Sequence, residues 1–377
     1  MESMKLNVVD LFSGSGGMSC GFARDGRFVM IGAADLEVAK PSHGIGATSC
    51  NDTYAHNIGL RPMSADLSKV TPEEVAGHFG FSPPDVDVLI SCAPCTGFSQ
   101  KQSRNHVQDD PRNQLVERSA LFAEAWRPKY LIIENVKELL RGKHRHHFQS
   151  LHRRLTELGY DVFAEVHDLK EFGLPQSRLR SLIVAKLGGI FELDLPRVAR
   201  HRSVRDAIAH LPPVDAGESH PDDPMHLCPS MNDRSLARMR AIPRDGGSWT
   251  DIPDELGHLR IPSMNVKDPG SFPDVYGRLA WDRVAPTVTR ECSHPGNGRY
   301  SHPEQDRLLT VREMALIQGF PADYYFLGTL SFKYRQIGDA VPPLVSSLIA
   351  DAVASDAAGA ARPRRESRAS AQLALAI

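Results

Sequence analysis

Short apolar runs rich in β-branched residues recur along the first half of the chain, at Leu6–Phe12, Val29–Ala34, Val86–Ser91, Tyr130–Glu134, Val162–Val166 and Leu182–Lys186. Helical stretches fall between them, among them Asn113–Trp126 and His147–Leu158. An unbroken apolar strand is one covered on both faces. Strands alternating with helices therefore predict an open, mainly parallel α/β sheet up to about residue 187. From about 188 to 275 prolines, glycines and polar residues replace the periodicity, as in Leu211-Pro212-Pro213 and Pro243-Arg244-Asp245-Gly246-Gly247. That texture predicts an irregular second domain or a very long insertion. Order returns at Thr310-Val311-Arg312-Glu313, a capping box opening a helix through Ile317 that Gly319 and Pro321 stop. A last helix is predicted from Pro342-Pro343 to about Ala354, since proline suits a first helical turn. The expected division is an α/β domain over 1–187, a smaller domain over 188–325, a C-terminal segment over 326–356 and a disordered tail over 357–377.

Composition narrows the classes. The chain has 377 residues, 41% of them hydrophobic, enough for a substantial core. No run approaches the roughly 18 consecutive apolar residues of a membrane span. The start, Met1-Glu2-Ser3-Met4-Lys5, does not read as a secretory signal. Six scattered cysteines indicate a reducing cytoplasm rather than a disulfide framework. Cys92 and Cys95 make a C-x-x-C with no second pair beside it, so no metal is expected. A formal net charge of −2 does not announce a polyanion binder. Two local clusters are basic, Lys137–Arg154 and Arg197–Arg205, and each is either a solvated face or a phosphate contact. The histidines at 144, 146 and 147 read as exposed helix surface.

Candidate chemistry sits where the apolar runs end. Ser91-Cys92-Ala93-Pro94-Cys95-Thr96-Gly97-Phe98-Ser99 places Cys95 in the loop at a strand's carboxyl end, where such sheets deliver functional groups. Cys95 is there either a nucleophile or a buried structural cysteine. Asp10-Leu11-Phe12-Ser13-Gly14-Ser15-Gly16-Gly17 leaves the first strand in a glycine loop that permits tight turning and close approach of a ligand. Asp35 ends the second strand, where a carboxylate suits ribose hydroxyls, and Asp66 follows the next strand, in reach of an adenine amino group. The loop lacks a phosphate-gripping lysine and offers the face of Phe12, which favours S-adenosylmethionine over a nucleotide with a phosphate chain. Glu134 closes an apolar run, where an unpaired charge is costly. Arg178 and Arg180, two apart, would share one side of an extended chain and reach one anion or one base, or else form salt bridges.

Taken in order, DLFSGSGG, APCTGFS, ENV, QSRLR, RLLTVREMALIQGFP and RQIGDAVPP resemble the motif set of the DNA cytosine-5 methyltransferases over about residues 6 to 354. The resemblance implies a Rossmann-like catalytic domain that uses S-adenosylmethionine, a smaller target-recognition domain, and a final helix folded back onto the catalytic domain. Carried over by motif, Cys95 is the nucleophile, Glu134 engages the cytosine ring, and Arg178 and Arg180 hold the base and its phosphate. Phe12, Ser13, Gly14, Gly16, Gly17, Asp35, Leu36, Asp66, Pro94, Asp339 and Val341 would line the cofactor site. The implied partner is double-stranded DNA, bound by a monomer, with a cognate restriction endonuclease left open. Three features depart from the family pattern: Thr96 where glutamine is common, Asp339 where asparagine is common, and an apparent insertion at Lys40-Pro41-Ser42-His43-Gly44. Target choice is expected from about Pro196 to Asp274, with Arg234, Arg238, Arg240 and Arg244 as candidate readers. A transfer-RNA cytosine methyltransferase and a catalytically idle DNA-binding homologue remain as alternatives.

Overall fold

A computed structural model describes residues 5–38, 48–94, 111–265 and 272–359. Cys95 and Thr96, the Lys40–Gly44 insertion and the tail beyond residue 359 lie outside these. The chain runs β1 (Leu6–Leu11), α1 (Gly17–Ala23), β2 (Phe28–Asp35), α2 (Cys50–Ile58), β3 (Met63–Ser64), α3 (Pro72–Phe79), β4 (Val88–Ser91) and α4 (Leu115–Trp126). It continues through β5 (Tyr130–Val136), α5 (Glu138–Arg141), α6 (His146–Glu157), β6 (Tyr160–Asp168) and β7 (Leu179–Leu187).

These strands form one seven-stranded sheet in the order β3-β2-β1-β4-β5-β7-β6. β1 to β5 are mutually parallel, as the alternation with helices requires. β7 runs antiparallel to both β5 and β6. The connection from β6 to β7 holds no crossover helix, only a 3-10 turn at Leu169–Phe172, and is tied by Leu169 N donating to Arg178 O at 3.0 Å. Such a connection can only return a strand antiparallel. Successive β-strand side chains take opposite faces. Val9, Leu89 and Leu131 pack under Phe122, Trp126 and Leu151, while Val8, Val88 and Ile132 pack under Phe22, Val345 and Ile349.

Beyond the sheet come α7 (Val204–Ile208), a two-stranded ribbon of β8 (Ser219–His220) and β9 (Asp223–Leu227), α8 (Asp233–Ala241), α9 (Pro262–Asn265), α10 (Val311–Ile317), α11 (Leu330–Asp339) and α12 (Pro343–Ala357). The aperiodic stretch thus carries short elements, and two further cores stand beside the sheet. One joins Val204 to Trp281, Leu309, Met314, Phe326 and Tyr334, and a smaller one gathers Met239, Trp249, Ile252 and Tyr276. α12 leaves this region and lies on the sheet face beside α1. Residues Leu330–Ala357 are together long and apolar enough to cross a membrane, yet 72% of their most apolar part is buried inside the protein. Their hydrophobicity is core packing, of α11 against Met314 and Phe326 and of α12 on the sheet.

Candidate active site

The carboxyl ends of β1, β2, β4 and β5 converge on one edge, and the site builds from the β1 end outwards. Phe12 takes a left-handed backbone (φ 60°), which a non-glycine residue keeps only when held there. Ser13 N donates to Ala34 O at 3.2 Å and Gly14 N to Asp35 Oδ2 at 3.0 Å. Asp35 Oδ1 also accepts from Glu37 N at 2.7 Å, so this carboxylate fastens the glycine loop to β2. Burial raises its pKa. The loop's glycines have different neighbours. Gly14 is left-handed (φ 51°) with open space where a Cβ would stand. A Cβ on Gly16 would come within 2.8 Å of the Tyr324 hydroxyl, and one on Gly17 within 2.3 Å of Val341 O. Gly14 thus faces open space, whereas Gly16 and Gly17 let the C-terminal segments close against the loop.

Beneath the loop Asp10 is 1% exposed. Its Oδ2 accepts from Ser19 Oγ at 2.5 Å, and Ser19 Oγ lies 2.8 Å from the Tyr54 hydroxyl. Burial pushes the Asp10 carboxyl up to about 8, partly offset by Ser19. Asp10 Oδ1, Ser13 Oγ, Asn51 Oδ1 and Gln336 Oε1 are buried with no hydrogen-bond partner. The elements carrying them meet at the loop: Asn51 N donates to Glu37 Oε1 (2.9 Å), and Ser15 Oγ to Gln336 O (3.4 Å). Buried polar atoms are rarely left unpaired. This set, with the Gly14 opening and the aromatic Phe12, fits an amino-acid-bearing nucleoside such as S-adenosylmethionine. Leu36 is half-buried, Val341 buried and Pro94 exposed. Asp66 accepts from Ser68 Oγ and N at 2.6 and 3.0 Å and lies 3.2 Å from Lys69 Nζ; the Ser68 hydroxyl above all holds its carboxyl below the usual range.

The β4–β5 register sets Ile90 beside Ile132, which brings Cys92 level with Glu134. Glu134 N donates to Cys92 Sγ at 3.4 Å, and Asn135 Nδ2 donates to Ala93 O at 3.1 Å. The root of the Cys95 loop is therefore fastened to the strand end that carries Glu134, with Cys95 itself outside the described residues. Burial, aided by the charge of Glu134, pushes the Cys92 thiol well up. Cys92 is an inert structural cysteine lying after a strand, unlike the activated thiol of a redox C-x-x-C.

Glu134 is 7% exposed, and its Oε1 lies 2.9 Å from Arg180 Nε. The expected common side for Arg178 and Arg180 is not observed. Arg178 precedes the first strand residue, Leu179, so the two-residue repeat does not apply to it. Its guanidinium is buried and donates to Val288 O (2.9 Å) and Ala340 O (3.3 Å). Asp339 is exposed but paired on both oxygens with Arg290, at 3.0 and 2.7 Å. Among the other candidates, Arg238 is buried, donates to Leu259 O at 2.6 Å and stacks 4.7 Å from the centre of the Tyr276 ring, which takes it off a reading surface. Arg234, Arg240 and Arg244 are exposed. Arg200 and Arg205 each hold a carboxylate, at 2.9 and 2.7 Å, and Arg197 is paired with Glu171. His147 is buried with Nδ1 2.8 Å from Glu117 Oε1, which corrects its reading as exposed.

Sequence reasoning passed over Asp10, Asn51, Gln336 and Arg290 as site residues. Asp10 carried a usable signal, a carboxylate closing the apolar Val8-Val9, the same signal that singles out Glu134. The others carry none locally, because only the fold brings Asn51 and Gln336 towards the loop and Arg290 to Asp339.

A family model described as C-5 cytosine-specific DNA methylase matches residues 6–355. The chain is 35% identical over 356 residues to the type II methylase M.HgiDII of Herpetosiphon aurantiacus, covering 92% of this chain and 94% of that one. It is 33% identical to the type II methyltransferase M1.HphI of Haemophilus parahaemolyticus, over 93% and 87% of the two chains. Among solved structures, a putative DNA modification methyltransferase encoded within an Escherichia coli prophage superposes with a TM-score of 0.65 at 25% identity, over 93% and 98% of the chains.

Proposed function

The chain belongs to the C-5 cytosine-specific DNA methylase family, and from that premise we propose that it methylates carbon 5 of a cytosine rotated out of duplex DNA through a covalent adduct at Cys95. The ring carbon is a poor nucleophile while aromatic. Addition of the Cys95 thiolate to carbon 6 breaks the aromaticity and makes carbon 5 enamine-like. S-adenosylmethionine, held by the glycine loop and the unpaired polar atoms around it, supplies the electrophilic methyl group when bound. Glu134 engages ring nitrogen 3 of the adduct, and Arg180 holds the Glu134 carboxyl in place for it. Loss of the carbon 5 proton and expulsion of Cys95 then restore the aromatic ring. A base within the stack is out of reach, so the target must swing out at a cost of a few kcal/mol, offset by contacts along the backbone.

The observation that carries this reading is Glu134, a nearly buried carboxylate beside Arg180 on the strand end that also anchors the root of the Cys95 loop. Target choice is assigned to residues 196–274, with the exposed Arg234, Arg240 and Arg244 as readers. The names of the two type II relatives favour the modification half of a restriction–modification system, and a monomer acting in the cytoplasm is part of the same proposal. Duplex DNA carrying 5-fluorocytosine tests the chemistry, because fluorine cannot leave as a proton does. With S-adenosylmethionine the wild type should give a denaturation-resistant complex and Cys95→Ala none. Trapping by Cys95→Ala removes Cys95 from the role, and trapping of transfer RNA in place of duplex DNA overturns the substrate class.

A further inference from the structure

Tyr324 stands between α10 and α11, fully buried, and its hydroxyl donates to the backbone carbonyl of Ser15, in the middle of the glycine loop that leaves β1. The residue is a fixed post. Its ring packs against those of Phe320 and Phe326, at 4.7 and 5.3 Å between centres. Its own carbonyl accepts from Arg312 Nη1 at 3.1 Å, and Arg312 in turn grips both oxygens of Asp223 on β9, at 2.7 and 3.0 Å. Burial holds the phenol pKa well above its usual value, so the hydroxyl remains a donor. The loop that it meets is pliant by comparison. Gly14 and Gly16 flank Ser15 in left-handed backbones, φ 51° and 88°, and glycine passes between conformations with little resistance. A Cβ on Gly16 would stand 2.8 Å from the Tyr324 hydroxyl, so the contact needs glycine there. The Ser15 hydroxyl reaches Gln336 O at 3.4 Å, a long bond that leaves the carbonyl tie as the firm one at this residue.

We infer that the Tyr324 hydroxyl pins the glycine loop in its ligand-ready form, which makes Tyr324 a positioning residue for the cofactor, acting through Ser15. This rests on the S-adenosylmethionine reading above. A buried carbonyl without a donor is costly. With the hydroxyl gone, the peptide joining Ser15 to Gly16 is free to turn towards another donor, because the glycines on either side permit it. The amides of Ser13 and Gly14 fasten the near side of the loop to β2, and nothing of equal strength then fastens Ser15. The loop spends part of its time in forms that do not fit the ligand, and the apparent affinity falls by that fraction. The sulfonium and the thioether left after methyl transfer share their nucleoside and amino-acid parts, so both affinities fall alike. The net worth of one hydrogen bond sets the size of the loss at roughly threefold to tenfold.

Y324F removes the hydroxyl and leaves an aromatic ring beside Phe320 and Phe326. Calorimetric titration of the full chain should show Y324F binding S-adenosylmethionine and S-adenosylhomocysteine at least about threefold more weakly, by the same factor for each. The KM for S-adenosylmethionine should rise by that factor, with kcat at saturating cofactor near the wild-type value. In the ligand-free chain, amide hydrogen exchange over Ser13–Gly17 should quicken in Y324F. F326L loosens the same aromatic core without touching the hydroxyl. It should lower stability to urea while leaving both affinities and the loop exchange as they are. Unchanged affinities in Y324F, or an equal loss in F326L, overturn the inference and leave Tyr324 as core packing. A Y324F chain that fails to fold overturns it too. If the wild type binds neither nucleoside, the S-adenosylmethionine reading falls first and takes this inference with it; equal binding by wild type and Y324F brings down the inference alone.

Discussion

Asp10 shows what a buried, half-paired carboxyl does to the stability of the fold. A carboxyl 1% exposed, with one oxygen bonded by Ser19 and the other unpaired, is disfavoured as an ion. Its pKa rises from 3.8 to about 8, so over that range the folded chain keeps a proton that the unfolded chain releases. Stability from this group therefore falls as pH rises from about 4 to about 8 and is level above. His302, pushed down by burial to about 4, acts with the opposite sign, adding stability as pH rises towards 6.5. Between pH 6.5 and 8 the His302 contribution is complete and that of Asp10 is still changing. Urea unfolding over that window should show the wild type losing stability and Asp10→Asn losing distinctly less; equal slopes would remove Asp10 from the account. Glu134→Gln belongs to the same scale. It should keep DNA binding yet slow single-turnover methyl transfer by at least about 10²-fold, the usual loss for a group handling a proton in the chemical step. A near-normal rate would take Glu134 out of the reaction.

Elements were legible in proportion to their length and repeat. The six apolar runs appear as β1, β2, β4, β5, β6 and β7, and the Thr310 capping box is present, with Glu313 N donating to Thr310 Oγ1 at 3.1 Å. β3, at two residues, is too short to leave a pattern of its own, and only the position of Asp66 hints at a strand before it. The reversed direction of β7 was also invisible, because alternating runs and gaps do not record whether a connection crosses the sheet or doubles back. α10 has a further tie that its apolar spacing does not reveal. Arg307 and Glu313, each with a side chain 1% exposed, form a two-pronged pair at 2.7 and 2.9 Å. Removing one partner strands the other charge, so Arg307→Ala should cost about 3–5 kcal/mol in urea unfolding. Replacing both by apolar residues, as in Arg307→Met with Glu313→Leu, should recover most of the loss. A single variant near wild-type stability would show that the pair does not hold α10.

The whole molecule divides its work between a sheet edge and an irregular region with cores of its own. On the proposed reading, the groups that act on any cytosine belong to the carboxyl ends of parallel strands and cannot encode the flanking bases. Loops on a rigid scaffold can. Exchanging residues 196–274 for the matching segment of a relative should move the methylated sequence while leaving S-adenosylmethionine binding intact, read by sequencing methylated DNA from cells making the chimera. Within that segment, Arg234→Ala or Arg244→Ala should relax one position at a cost of roughly 1–3 kcal/mol if the arginine reads a guanine edge. It should weaken all sequences alike if the arginine holds a phosphate. A folded, active chimera that kept the original target would show that the reader lies elsewhere.

By itself the sequence determined what local chemistry and periodicity can encode. It marked where strands end in glycine, cysteine and carboxylate, which helices are capped, and where regular alternation stops. Its ordered motifs named the family. Only the tertiary structure decided how those ends are wired, because partners far apart in the chain leave no mark on each other's neighbourhood. Asp35 turned out to bond the loop amides, Arg178 to clamp two distant carbonyls, and Arg180 alone to meet Glu134. Asp339, a lone negative charge in the sequence, gained a counter-ion 49 residues away once the end of α11 closed on Thr289.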